Sequence, residues 1–170
     1  MMTAGIFLMI IAGLHWRFKW QALTLDQDLL AQYASYEVEG AEKRPVHIEI
    51  PWFVDVDISQ QVLVAGEWTI AEREASHLAN SARPGEAGNI IIYGHNTRPI
   101  LGNIRALQGG EIVTLTSADG SKHQYQIKQI VEVRPDQVEY LLPTSEETLT
   151  IYTCSGFMDQ KRFIVRGERV

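Results

Sequence analysis

Beyond Pro45 the apolar residues recur with a period of two. Val46, Ile48 and Ile50 alternate with polar neighbours, and Phe53-Val54-Asp55-Val56-Asp57-Ile58 continues the pattern. Successive side chains of a strand point to opposite faces, so this spacing predicts strands buried on one face. Residues 61–64 read as a further short strand, and Asn89-Ile90-Ile91-Ile92-Tyr93 is a strand-length apolar run suited to burial on both faces. Strands are expected at 111–116 and 122–134, with the hairpin signal Asp119-Gly120 between them, and finally at 148–153 and 162–165. Between 67 and 83 the pattern is mixed. There, residues 71–79 read as a helical turn or two stopped by Pro84-Gly85, and Pro135 and Pro143 bracket a loop with one helical turn at most. Several short strands joined by turns predict a closed antiparallel barrel or a sandwich.

The first 44 residues follow other rules. Residues 1–14 are nearly all apolar and show no polar face, and His15-Trp16-Arg17-Phe18-Lys19-Trp20 follows. A helix over 3–14 covers about 18 Å and one extended to Trp20 about 27 Å, against a hydrocarbon core of about 30 Å. With Arg17 and Lys19 snorkelling and three aromatics at interfacial depth, 1–20 is expected to be a short membrane anchor. The charges follow the apolar run and no small-x-small cleavage site is evident, which disfavours a cleaved signal peptide. Charge alone would keep the domain on the cytoplasmic side. Thr24-Leu25-Asp26-Gln27 fits a capping box, and Leu29, Leu30, Tyr33 and Ala34 recur at helical spacing. Residues 21–44 therefore read as a helical linker, and 45–170 as the domain.

Composition narrows the function classes. At 170 residues, 45% hydrophobic and 21% charged, the chain has enough apolar material for one globular core. A net charge of −6 and no cluster of Lys and Arg argue against a nucleic-acid partner, since phosphate binding needs concentrated positive charge. One cysteine and scattered histidines supply no metal-ligand spacing. No cofactor is expected. Glu72, Glu74, Glu146 and Glu147 lie in or near loops, which leaves calcium modulation open.

The only cysteine, Cys154, ends the apolar run Thr150-Ile151-Tyr152-Thr153. A lone cysteine is more often a small buried hydrophobe than a nucleophile, and a working thiolate needs an imidazole or a cation beside it. Among five histidines, His95 stands out, because it follows the 89–93 strand between Gly94 and Asn96, where functional side chains commonly project. Arg162 opens the strand after the cysteine strand, and adjacent antiparallel strands would bring the two together. Arg166 and Arg169 compete for that cationic role, Arg166 sharing a face with Arg162.

In order and spacing, Gly94-His95, Thr150-Ile151-Tyr152-Thr153-Cys154 and Arg162-Phe163-Ile164-Val165 resemble the His, TLxTC and Arg-x-(V/I)-V motifs of sortases, the membrane-anchored cysteine transpeptidases. Pro84-Gly85-Glu86-Ala87-Gly88-Asn89 and Leu101-Gly102-Asn103-Ile104-Arg105-Ala106-Leu107 add context, and the resemblance spans about 45–170. It departs at Ile151, where leucine is usual, and in a short loop over 155–161. The resemblance implies a mainly β fold, a closed eight-stranded barrel with short peripheral helices preceded by an N-terminal hydrophobic helix. It implies that Cys154 attacks a backbone carbonyl of an LPxTG-like C-terminal sorting signal on a surface protein, forming a thioacyl enzyme. His95 then moves protons, Arg162 orients substrate or binds the oxyanion, and an amine such as a cell-wall precursor resolves the intermediate. Asn96 and Thr153, adjacent to these residues, are the candidates for substrate contacts. The resemblance further implies a single N-terminal anchor in the cell membrane and an extracytoplasmic catalytic domain, against the charge rule. The absence of an Asp-Pro-aromatic motif in 21–44 argues against a lidded pilus-type enzyme. Two other readings are a cysteine peptidase that releases product to water and a non-catalytic membrane-tethered β-barrel binding module.

Overall fold

The computed structural model describes residues 41–170 except 62, 65 and 66. The expected anchor at 1–20 and the helical part of the 21–44 linker lie outside the described residues. Among the described residues ten strands follow one another: β1 (Pro45–Ile50), β2 (Val54–Gln61), β3 (Leu63–Val64), β4 (Glu67–Trp68), β5 (Ala75–Leu78), β6 (Asn89–Gly94), β7 (Ile112–Ser117), β8 (Lys122–Val133), β9 (Thr148–Ser155) and β10 (Lys161–Arg169). Eight close a barrel in the order β1-β2-β5-β6-β9-β10-β8-β7, while β3 and β4 form a separate two-stranded sheet.

Two features depart from the expectations. The barrel is not purely antiparallel, because β2 pairs with β5 and β6 with β9 in parallel. Local turn signals report hairpins, whereas these pairs join strands with other strands between them in the chain. Within 71–79 the expected helical turns are replaced by β5, all four of whose residues are buried. Pairing to β2 on one side and β6 on the other outweighs the weak helical preference of Ala71-Glu72-Arg73-Glu74. The peripheral helices among the described residues are short 3-10 turns, including Gly102–Ala106, Val138–Leu141 and Phe157–Asp159.

Alternation along the strands sorts the apolar residues into two clusters. One takes residues from all eight barrel strands, among them Ile48, Ile90, Ile92, Leu115, Leu149 and Ile151, and fills the interior. The other, Leu78, Ile91, Tyr93, Val133, Leu141, Tyr152 and Ile164, lies on the outer face of β5, β6, β8, β9 and β10. Each fully buried isoleucine contributes about 1.5–3 kcal/mol relative to exposure. The run from Asn89 to Tyr93 lacks polar alternation because β6 packs on both faces.

On β5, His77 is fully buried. Its neutral ring accepts at Nδ1 from Gln60 Nε2 at 2.7 Å and, with the proton on Nε2, donates to the Ala82 carbonyl at 3.1 Å. Burial pushes the imidazole down to about 4.

Candidate active site

Three neighbouring strands bring the candidate residues to one end of the barrel. In the parallel β6–β9 ladder, Tyr93 faces Tyr152 and Gly94 faces Thr153. One step further along each chain stand His95 and Cys154. On the other side of β9, antiparallel β10 sets Arg162 directly opposite Cys154. Opposed residues project to the same face, so Cys154 and Arg162 share the outer face with Tyr152, at the edge of the outer apolar cluster.

Gly94 makes the turn at His95 possible. A Cβ there would lie 2.9 Å from Ile100 Cγ2 and 3.2 Å from Leu101 Cδ1. The chain folds back at once, with Leu101 N–H donating to the His95 carbonyl at 3.3 Å and Gly102 N–H to that of Thr97 at 2.8 Å. His95 thus leaves β6 on a short, internally bonded loop and remains partly exposed.

Cys154 is 6% exposed. Burial pushes its thiol up to about 11; the neighbouring Arg162 acts in the opposite direction, and Asp159 adds to the rise. The thiol therefore rests protonated at neutral pH.

Arg162 is 1% exposed, the largest of the fully buried side chains. Its Nη1 donates to the carbonyls of Asp159 at 3.0 Å and Lys161 at 2.8 Å. Its Nε and Nη2 have no hydrogen-bond partner among the described residues. A guanidinium taken out of water costs several kcal/mol unless its donors are engaged, so two open N–H groups beside a thiol are an anion-binding arrangement. The β9–β10 turn supplies the carbonyls by left-handed backbone at Gly156 (φ 77), Met158 (φ 52) and Asp159 (φ 60). Left-handed backbone is uncommon outside glycine. Gly156 hints at such a turn in the sequence, but contacts made by main-chain carbonyls leave no side-chain signature there.

The competing arginines stand elsewhere. Arg166 faces Thr150 on the same side of β10, and Arg169 lies near the far end of the strand, 3.7 Å from Glu147. Asn96 follows His95 and is half-buried. Thr153 is fully buried, and its hydroxyl donates to the Gly94 carbonyl at 2.8 Å, tying β9 to β6. The stacked rings of Tyr93 and Tyr152, centroids 5.4 Å apart, were not singled out from the sequence. Their signal was a tyrosine two residues before each of His95 and Cys154. Among the described residues no group of three or more His, Cys, Asp or Glu is arranged to hold a metal ion. Glu147 is engaged by the Tyr125 hydroxyl at 2.6 Å and Gly85 N–H at 2.8 Å.

A comparison with curated protein sequences finds no match. Solved structures do match. A lid mutant of sortase A from Corynebacterium diphtheriae is 27% identical, with a TM-score of 0.64 over 84% of this chain and 77% of that one. The complex of Streptococcus agalactiae sortase C1 with MTSET is 25% identical, with a TM-score of 0.64 over 94% and 86%. Streptococcus pneumoniae sortase C, at 22% identity and a TM-score of 0.65 over 92% and 88%, shares the fold. The family description "Sortase domain" matches residues 48–170. The chain therefore belongs to the sortase family of cysteine transpeptidases, enzymes that act on surface proteins carrying sorting signals.

Proposed function

We propose that this chain cleaves an LPxTG-like sorting signal through a thioacyl enzyme and passes the protein to an amine at the cell surface. Cys154 Sγ attacks the scissile carbonyl, and the thiol proton passes to His95 as the carbon–sulfur bond forms. His95 protonates the departing amine and later takes a proton from the incoming one. The open Nε and Nη2 of Arg162 receive the oxyanion, a contribution of about 2.7–4 kcal/mol for each donor of this kind. With the resting thiol held near 11, attack requires that transfer of the proton to a base. One observation supports the reading above all: His95 follows directly on the end of β6, and on the neighbouring strands β9 and β10 Cys154 and Arg162 are directly opposed.

The test is mass spectrometry of products from an LPxTG-type peptide library supplied with candidate amines. A ligated product that disappears in Cys154→Ala and in His95→Ala is expected. Release of the acid unaffected by added amine would favour a peptidase. Turnover retained in Cys154→Ala would remove the enzyme reading altogether. We place the domain outside the cytoplasmic membrane on an N-terminal anchor, and protection from added protease on intact cells would reverse that placement.

A further inference from the structure

The parallel ladder that carries His95 and Cys154 has an unusual problem of register. The strands β6 and β9 are separated in the chain by β7 and β8, so no short turn fixes which residue of one faces which of the other. Two contacts immediately before the reactive ends do so, one on each face. On the inner face the Thr153 hydroxyl donates to the Gly94 carbonyl at 2.8 Å. On the outer face, Tyr93 and Tyr152 are register partners, their rings 5.4 Å apart between centroids and within 10° of parallel. Both rings are 3% exposed. The Tyr93 hydroxyl donates to the Thr69 carbonyl at 2.7 Å, so the stack is also moored to the segment preceding β5.

We infer that the Tyr93–Tyr152 stack is a positioning device that sets the separation of His95 and Cys154. The inference rests on the roles proposed for those two residues. Tyr152 occupies the x position of Thr150-Ile151-Tyr152-Thr153-Cys154, the place its motif leaves open, and its side chain shares the face of Cys154 and Arg162. Ring on ring, the pair resists both sliding and splaying of the two strand ends. A small aliphatic residue at 152 would leave a cavity against Tyr93 and free the cysteine end of β9 to shift. Misplacement by about 1 Å at a reacting centre costs on the order of 10²-fold in rate.

The single cysteine allows a test that needs no substrate. His95→Cys puts a second thiol at the position under test, and its effective concentration toward Cys154 is read from the disulfide equilibrium with glutathione. We expect the disulfide to form in the otherwise unaltered chain and equally in Tyr152→Phe, which keeps the ring. In Tyr152→Val the effective concentration should fall about tenfold or more. Tyr93→Leu, approaching the stack from the other strand, should give the same fall and serves if Tyr152→Val does not fold. In the enzyme with His95 intact, kcat for ligation of a sorting-signal peptide should fall in Tyr152→Val with KM little changed, and Tyr152→Phe should restore it. An undiminished effective concentration in Tyr152→Val or Tyr93→Leu overturns the inference and leaves the proposed function standing. Equal losses in Tyr152→Phe and Tyr152→Val overturn it in favour of the phenol hydroxyl. Failure of His95→Cys to form the disulfide in any background means that the two Cβ atoms lie further apart than the roughly 4.5 Å a disulfide spans, and the kcat comparison of Tyr152→Val with Tyr152→Phe then decides the inference.

Discussion

Two arginines on one strand show how differently the two ends of this barrel treat a cation. Arg169, near the far end of β10, is exposed, donates to the Gln124 carbonyl at 3.2 Å, lies 3.7 Å from Glu147 and covers the Tyr125 ring at 5.7 Å. Arg162, at the start of the same strand, is buried, held by two carbonyls through one nitrogen, and leaves Nε and Nη2 open. The first is satisfied and near water, and so is worth little to stability. The second carries an unrecovered desolvation cost. Buried donors without partners in a folded protein call for an explanation, and the oxyanion proposed for the Cys154 reaction is one.

The largest expected effect that would sharpen this contrast is at Arg162. Arg162→Met should lower ligation by roughly 10²–10³-fold, the loss typical of an oxyanion donor, while leaving the thermal midpoint unchanged or higher. Kinetics and calorimetry on one preparation read both; a marked fall in the midpoint would mean that the guanidinium is a structural tie, and the contrast would break.

His77 extends the comparison to a buried group whose bonds are all made. Its folded pKa is depressed from 6.5 to about 4, so its contribution to stability is full above 6.5 and is lost as pH falls through about 4. At 1.36 kcal/mol per pH unit, that interval corresponds to about 3 kcal/mol. Denaturant melts from pH 7 to 4 should therefore show falling stability, and His77→Gln should flatten the profile. An unchanged slope in that variant would assign the acid sensitivity to other groups.

Cys154 reads out the field of its neighbours directly. Alkylation by iodoacetamide should rise with pH toward about 11. Asp159→Asn should accelerate it at a given pH and Arg162→Met should slow it, since the carboxylate disfavours the thiolate and the guanidinium favours it. The same rate in all three proteins would show that neither charge reaches the sulfur. The smallest effect is expected at the other arginine. Arg169→Met should leave ligation intact and reduce stability by about 1 kcal/mol or less, as for exposed ion pairs and cation–π contacts. A loss of turnover there would tie the far end of the barrel to the chemistry.

Much of the fold was legible in the pattern of apolar positions, and the misses have a common cause. Periodicity marked the strands at 46–50 and 54–58, a continuous apolar run marked 89–93, and Asp119-Gly120 marked the β7–β8 hairpin, because these signals are local. Nothing local announces that β2 lies beside β5 or β6 beside β9, so the parallel pairings went unread. The β5 strand was missed for a related reason: Ala75-Ser76-His77-Leu78 has no period, as both of its faces are covered. The motif spacing drew attention to His95, Cys154 and Arg162 and favoured Arg162 over Arg166 and Arg169. What spacing could not show is the register, which opposes Arg162 to Cys154 and Arg166 to Thr150.

By itself, then, the sequence determined where most of the strands lie, which cysteine and histidine are candidates and which family's motifs they resemble, since all of these depend on residue type and short spacing. The tertiary structure decided that Arg162 is buried with two open donors, that burial raises the Cys154 thiol, and that the rings of Tyr93 and Tyr152 stack between the strands leading to His95 and Cys154. Burial, dielectric and strand register arise only when distant segments meet, and they are what change an ordinary cysteine and an ordinary arginine into a site.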